Sequence, residues 1–319
     1  MNTGSSLFQE VPLGTISDLF SAALPRLGPV REAELMAGGM FNTTYLVTCD
    51  GGRCVLRLGP VHRERVLGFE LDLMRAEEHV YSLCRGLGLP CSTVLACDCS
   101  RSLIGRDFMV VEYIPSVAMC DAGLDQPRRH ELYLQLGRYL RRLHSVEGEG
   151  FGFVSRMLAD RSFARWSEAL CFEIGDFTSR LERWGGLSPR EAESVRAAYR
   201  GHAALFDEIT VPRLLHTDIW EGNVLLDRET GEILAVIDGD RAMFGDPDFE
   251  FASPWGSVPP LREGYGLPWP PDARRERRMR LYLAFYLALE AYVGLAEYNN
   301  PQLYRDRKRQ LMEVISSLD

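Results

Sequence analysis

The residues best suited to do chemistry lie in one stretch: His216-Thr217-Asp218-Ile219-Trp220-Glu221-Gly222-Asn223, then Val224-Leu225-Leu226-Asp227, a turn at 228–231, and Ile233-Leu234-Ala235-Val236-Ile237-Asp238. The two apolar runs read as short strands joined by a hairpin turn. The chain therefore leaves a loop and folds back, placing Asp238 beside Asp218 and Asn223. Two carboxylates and an amide gathered in this way suit phosphoryl transfer, whose transition state spreads negative charge over the migrating group and asks for positioning and cations. One carboxylate accepts the proton of an attacking hydroxyl. The other, with the amide oxygen, offers hard ligands to Mg²⁺, which keeps its remaining positions for water and phosphates. An Asp-x₄-Asn pair alone says little; with His216 upstream, the hairpin, and an Asp closing the return strand, the signal becomes specific.

Holding such a loop takes a scaffold, and the chain reads as two lobes. Residues 13–25 predict a short amphipathic helix. Strand-like runs follow at 35–40, 43–49 (TTYLVTC) and 54–58 (CVLRL), the last two joined by Asp50-Gly51-Gly52. Apolar residues at helical spacing (Phe69, Leu73, Ala76, Val80, Leu83, Leu87) predict a helix over 69–86, stopped by Gly88 and Pro90. Residues 92–96 and 108–114 read as two further strands, the second (FMVVEYI) apolar enough to be buried. Beyond 117 the periodicity is helical, at 129–144, 163–183, 190–207, 273–297 and 301–317, whereas 254–272, dense in Pro, Gly and Trp, reads as loop. The expected fold is α+β: a nucleotide-binding lobe (1–111) with a small antiparallel sheet and one helix, a hinge at 112–116, and a larger, mainly helical catalytic and substrate-binding lobe (117–319). A ligand cleft lies between them.

HTDIWEGN followed by VIDGDRAMFGDPDFEFA resembles the aminoglycoside-phosphotransferase and fructosamine-kinase superfamily, whose members share the protein-kinase-like fold. The family pattern is His-Gly-Asp-Leu-x-x-x-Asn, then Ile-Asp, then Gly-Asp-Pro. This chain departs from it at Thr217, where Gly is usual, and at Gly239, where an aromatic is common. The resemblance implies Asp218 as catalytic base and Asn223 and Asp238 as metal ligands. It makes His216 a hydrogen-bonding prop of the loop, with Asp246 and Asp248 as braces. Residues 37–45 look like the family's nucleotide loop, in which the backbone at Gly38 and Gly39 and the side chains of Asn42, Thr43 or Thr44 meet phosphates, although no Gly-x-Gly-x-x-Gly is present. Arg57 stands where a kinase places its strand lysine, and its guanidinium can pair bidentately with phosphate. Its expected partner is Glu77, with Glu78 as the fallback. Val111 and Tyr113 supply hinge backbone contacts to adenine, leaving ATP and GTP both open. The acceptor lies over the base, walled by Glu221, Asp240, Trp255, Trp269, Glu290 and Tyr292, whose carboxylates suit a polyamine. The implied activity is a Mg²⁺-dependent small-molecule kinase using ATP or GTP, with an aminoglycoside-like or other amino-sugar or amino-alcohol acceptor. Trp220 and Phe249-Glu250-Phe251 also suit a fructosamine kinase. Thr217, Gly239 and Arg57 motivate a reading of another class, a catalytically silent nucleotide- or ligand-binding member. A protein kinase is disfavoured, because neither an Ala-Pro-Glu segment nor a long activation loop follows Asp238.

Composition narrows the partners. The 319-residue chain has a formal net charge of −9 and a pI near 5.3, which disfavours nucleic acid and anionic membranes and tolerates a small cationic substrate. Lys308 is the only lysine among 36 basic residues, so any cation at a phosphate must be Arg. The eight cysteines form no Cys-x-x-Cys pair, and Cys97-Asp98-Cys99 suits no common zinc site; they read as reduced thiols of a cytoplasmic protein. The first ten residues lack a secretory pattern, and the apolar run at 281–293 is interrupted by Glu290 and too short to span a bilayer. Oligomeric state is left open, since the 254–272 segment suits a lid or an interface equally.

Overall fold

Burial along TTYLVTC alternates residue by residue, which is the pattern of a strand packed on both faces by different partners. The structure is a computed structural model and describes residues 5–36 and 40–318; Gly38 and Gly39 lie outside the described residues. After helix α1 (Leu13–Ala23), strands β1 (Val30–Leu35), β2 (Thr43–Cys49) and β3 (Gly52–Leu58) precede helix α2 (Leu73–Gly86), and β4 (Val94–Asp98) and β5 (Phe108–Glu112) complete an antiparallel sheet of order β1-β2-β3-β5-β4. On one face, Ile16, Leu19 and Phe20 of α1 pack with Tyr45, Val47, Leu56, Leu58 and Val110. On the other, Met74 of α2 packs with Met109 and Val111. The first strand falls earlier than 35–40. It is an edge strand whose Arg31, Glu32 and Glu34 face solvent, so hydrophobic periodicity does not reveal it.

After β5 the chain crosses at 113–116 to β6 (Val117–Ala118), and α3 (Gln126–Leu143) opens the helical lobe. There follow β7 (Gly152–Phe153), α4 (Val154–Met157), α5 (Trp166–Arg183), α6 (Pro189–Gly201) and α7 (Ala203–Phe206), so the helix expected over 190–207 breaks at His202. Strands β8 (Arg213–Leu215), β9 (Val224–Leu226), β10 (Ile233–Val236) and β11 (Met243–Gly245) form two small sheets, β10-β9-β6 and β7-β11-β8, that hold the loop at 216–223 and the turn at 238–242. Helix α8 (Pro247–Ala252) follows. The segment read as loop contains helix α9 (Pro259–Tyr265), which begins with prolines and packs on α3 where a Cβ at Gly137 or Gly264 would strike the other helix's backbone. Helix α10 (Ala273–Tyr292) runs into a π-helical turn at Val293–Glu297, and α11 (Pro301–Ser316) closes the chain. The 25-residue run Ala273–Glu297 is long and apolar enough to cross a membrane, but 72% of its apolar window is buried inside the protein. Its Leu281, Tyr282, Phe285 and Leu289 belong to the core of the helical lobe, which accounts for the apolarity.

Candidate active site

The loop that leaves β8 is held in a conformation its sequence does not favour. Thr217 has φ +67°, a region that a β-branched residue avoids, at a cost of about 1–3 kcal/mol. Four contacts hold it there. Glu250 on α8 accepts the N–H groups of His216 and Thr217, each at 2.9 Å. The Thr217 hydroxyl donates to the Arg241 carbonyl at 2.8 Å, and the Tyr286 hydroxyl donates to the Thr217 carbonyl at 3.3 Å. Burial opposes the charge on Glu250, yet His144, His216 and the loop N–H hold its carboxyl below the usual range. His216 is buried, burial keeps its imidazole below its ordinary value, and its Nδ1 accepts the Asp218 N–H at 3.3 Å. A neutral ring bonded to its own loop braces that loop.

Asn223 donates its amide N–H to both the carbonyl (2.9 Å) and the carboxylate (3.0 Å) of Asp218, which leaves the amide oxygen as a free acceptor. The Asp218 carboxyl is pushed up to about 7: burial is the largest cause and the Asp238 charge adds to it, while Arg241 and the Asn223 bond pull it down. Asp218 lines a small pocket together with Phe153, Arg241, Phe249, Trp255 and Tyr286. A carboxylate with that affinity for protons, next to a pocket, has the property required of a general base.

On the opposite side of the cleft, Arg57 on β3 joins three acids. Its Nη1 lies 2.5 Å from Glu77 of α2, and its Nη2 lies 2.8 Å from Asp238 and 3.8 Å from Asp240. Glu78 is exposed. The other oxygen of Glu77 accepts the Tyr81 hydroxyl at 2.6 Å, and that hydroxyl accepts the Asp238 N–H at 3.2 Å. Helix α2 comes this close because position 239 is Gly: a Cβ there would sit 3.0 Å from Val80 Cγ1, which explains why no aromatic stands here. Glu77, Asp238 and Asp240 each offer an oxygen, all within 4.8 Å of one another. Burial is the largest cause that raises Glu77 and Asp240, and repulsion among the acids adds to it while Arg57 opposes it; with three oxygens this close, the cluster could hold a divalent cation. Both Glu77 oxygens already have donors, so the oxygens of that cluster best placed for a cation are those of Asp238 and Asp240.

The cleft admits some of the anticipated residues and not others. Thr44 pairs with Arg57 across β2 and β3. Thr43 points the other way and is fully buried, its hydroxyl bonded to the Gln9 carbonyl (3.1 Å) and Arg106 (2.9 Å), which removes it from the phosphate-contacting set; strand alternation foretells this. Asn42 is buried at the start of the same strand. Val111 and Tyr113 stand at the end of β5, with the Tyr113 ring under the Arg53 guanidinium at 4.2 Å. Asp246 pairs with Arg278 and accepts the Tyr282 hydroxyl, both at 2.8 Å, while Asp248 takes Arg275 at 2.6 Å.

The acceptor wall needs the largest correction. Only Trp255 of the six anticipated residues lines the pocket. Glu221 is taken by Arg129 and Tyr133 of α3. Glu290 pairs with Arg307 at 3.0 Å. Tyr292 is in the core and donates to the Arg65 carbonyl at 2.6 Å. Trp269 is exposed beneath Arg262, and Asp240 belongs to the Arg57 cluster. Arg241 and Tyr286 line the pocket instead; they, like Glu250, which holds the loop, and Tyr81, which bridges Glu77 to Asp238, were not singled out by sequence reasoning. Only Arg241 carried a signal, as a lone cation three residues after Asp238.

Comparison with known proteins agrees with this geometry. The chain is 26% identical over 220 residues to mouse acyl-CoA dehydrogenase family member 10, covering 66% of this chain and 19% of that protein. It is 28% identical over 218 residues to a homoserine kinase of Methylobacillus flagellatus, covering 66% of this chain and 59% of that one. The chain thus spans less than two thirds of either relative's length. Among solved structures, a protein assigned as a fructosamine-3-kinase from Haemophilus somnus 129PT has a TM-score of 0.69 at 13% identity, covering 95% of this chain and 96% of that one. The aminoglycoside phosphotransferase APH(4)-Ia has 0.65 at 18%, covering 96% and 99%. At these identities the structures show a shared fold. The phosphotransferase enzyme family matches residues 32–298, and to that family this chain belongs.

Proposed function

We propose that the chain transfers the γ-phosphoryl group of ATP or GTP to a hydroxyl of a small acceptor, with Asp218 as the base. The observation that carries this reading is the juxtaposition of Asp218, bonded to Asn223, with an acid cluster in which Arg57 already reaches Asp238. The acceptor hydroxyl gives its proton to Asp218 as its oxygen bonds to the γ-phosphorus. The bond from that phosphorus to the bridging oxygen breaks, and the nucleoside diphosphate leaves. Arg57 pairs with phosphate oxygens, held in place by Glu77. The donor set of Asn223, Asp238 and Asp240 fits Mg²⁺, which when bound supplies positive charge against the phosphates. Residues 112–116 serve as the hinge, with the Val111 carbonyl and Tyr113 N–H facing adenine. The starting acceptor panel is amino alcohols and amino sugars, since the chain is similar to proteins named for homoserine and for aminoglycosides.

The test is phosphate transfer from ATP and from GTP with Mg²⁺ across that panel, in wild type and Asp218→Asn. Transfer that falls by orders of magnitude in the variant supports the reading, and equal rates in both proteins overturn it. Nucleotide binding without transfer or hydrolysis points instead to a silent binding module.

A further inference from the structure

Residues 5–11 make hydrogen bonds to both lobes within a few positions of one another. On the helical side, α10 runs into the π-helical turn Val293–Glu297, and a helix end leaves its last carbonyls without intrahelical donors. The Tyr298 N–H takes the Val293 carbonyl at 2.9 Å, and the Asn300 N–H takes that of Gly294 at 2.8 Å. The carbonyls of Ala296 and Glu297 are taken by Ser6. Its N–H and its hydroxyl each donate to Glu297 at 2.9 Å, and the hydroxyl also reaches Ala296 at 3.2 Å. On the sheet side, the adjacent Ser5 donates its hydroxyl to the Met40 carbonyl at 2.7 Å. Leu7 is fully buried, and its carbonyl accepts the Val61 N–H at 3.2 Å. The Gln9 carbonyl accepts the Thr43 hydroxyl at 3.1 Å and the Arg106 guanidinium at 2.8 Å. Arg106 is buried, and its hydrogen-bond partners among the described residues are the Thr43 hydroxyl and the carbonyls of Gln9, Leu58 and Gly59, with no carboxylate. It therefore pins this segment to the start of β2 and the end of β3. Met40 and Thr43 belong to the stretch 37–45 read as the nucleotide loop, and Thr44, next along, pairs with Arg57.

We propose that residues 5–11 are a strap that positions the nucleotide loop from the helical lobe, with Ser6 anchoring it on the turn after α10 and Ser5 holding the loop at Met40. Neither serine touches the reacting atoms; both are positioning residues. A loop held from the opposite lobe is fixed only while the two lobes keep their placement, so docking of the strap and binding of nucleotide favour one another. That coupling is reciprocal: the factor by which the docked strap raises nucleotide affinity is the factor by which nucleotide favours docking. This rests on the phosphotransferase reading, with the nucleotide at 37–45.

The probes are Mg²⁺ with non-hydrolysable analogues of ATP and of GTP, on the full chain. In Ser5→Ala/Ser6→Ala, which keeps Leu7 and Arg106, the analogue Kd from titration calorimetry should rise about three- to tenfold, the range of one or two lost hydrogen bonds. Ser6→Thr, which keeps the hydroxyl, should stay near wild type. In wild type the analogue should slow hydrogen exchange at the Ser6 and Val61 amides by a comparable factor. A double variant that melts lower than wild type but binds with unchanged Kd would mark a merely structural segment and overturn the inference, as would exchange at those amides that nucleotide leaves unchanged. Where transfer is measured, the nucleotide KM should rise with the Kd while kcat and the acceptor KM stay within about twofold; a loss confined to kcat overturns the strap. Binding of neither analogue by wild type sinks the phosphotransferase reading and the strap with it. Binding without transfer to any acceptor fails the kinase chemistry alone, and the Kd comparison still decides the strap.

Discussion

The two sides of the cleft solve opposite electrostatic problems. Around Arg57, three acids crowd one cation, and nearly every donor and acceptor is matched: Glu77 has two partners and Tyr81 bridges it to Asp238. Around Asp218 the walls are aromatic, one carboxylate stands at a pocket, and burial raises its proton affinity. The first side is short of positive charge, as a site for a metal–nucleotide complex should be. The second is largely apolar, with a single carboxylate at its pocket. Crowded acids on one side and apolar walls on the other make the two sides of one cleft chemically unlike.

Asp218→Asn should have the largest effect, lowering transfer by about 10²–10⁴-fold, while making the ligand-free protein more stable. The Asp218 carboxyl sits near 7 in the fold against an ordinary value of 3.8. The folded state therefore binds the extra proton, and wild type loses stability as pH rises from about 4 to 7. The stability gap between variant and wild type, followed by thermal unfolding, should open across that window and stay constant above it. A gap that closes with rising pH would contradict the burial of the base. The wild-type rate should fall as pH drops through about 7.

Arg57→Ala should strand three carboxylates and cost about 3–5 kcal/mol in urea unfolding. Mg²⁺ should stabilise this variant more than wild type, because the three oxygens within 4.8 Å lose their resident cation. A metal-independent loss would remove the acid cluster from consideration as a cation site. Glu250→Gln keeps one acceptor for the loop and should cost about 1–3 kcal/mol.

The smallest contrasts concern strain. Thr217→Gly relieves the positive φ but gives up the bond to the Arg241 carbonyl, so its stability should change by less than about 1 kcal/mol. Thr217→Val keeps the strain and loses the bond, and should be less stable than the Gly variant by about 2 kcal/mol. Equal stabilities would mean the backbone there is not strained. Glu78→Ala, at an exposed position, should stay within about 0.5 kcal/mol of wild type.

Much of this was legible in the order of residues. The run 216–238 carries its own geometry, since a loop, a strand, a tight turn and a return strand leave Asp238 little choice but to lie near Asp218. The apolar spacing of 69–86 marked α2 and put Glu77, not Glu78, on its packed face. Strand alternation could equally have separated Thr43 from Thr44. These are local facts, set by the 3.6- and 2-residue periods of the backbone. The pocket beside Asp218 has no such source. Phe153, Arg241, Trp255 and Tyr286 come from four elements, brought together only when α8 and α10 pack under the loop, and Glu221 and Glu290 left the wall because Arg129 and Arg307 reached them first. Which carboxylate finds which cation depends on distances across the fold that no period in the chain encodes. The sequence by itself therefore determined that Asp218, Asn223 and Asp238 gather at one loop, and the tertiary structure decided which side chains line the pocket beside them.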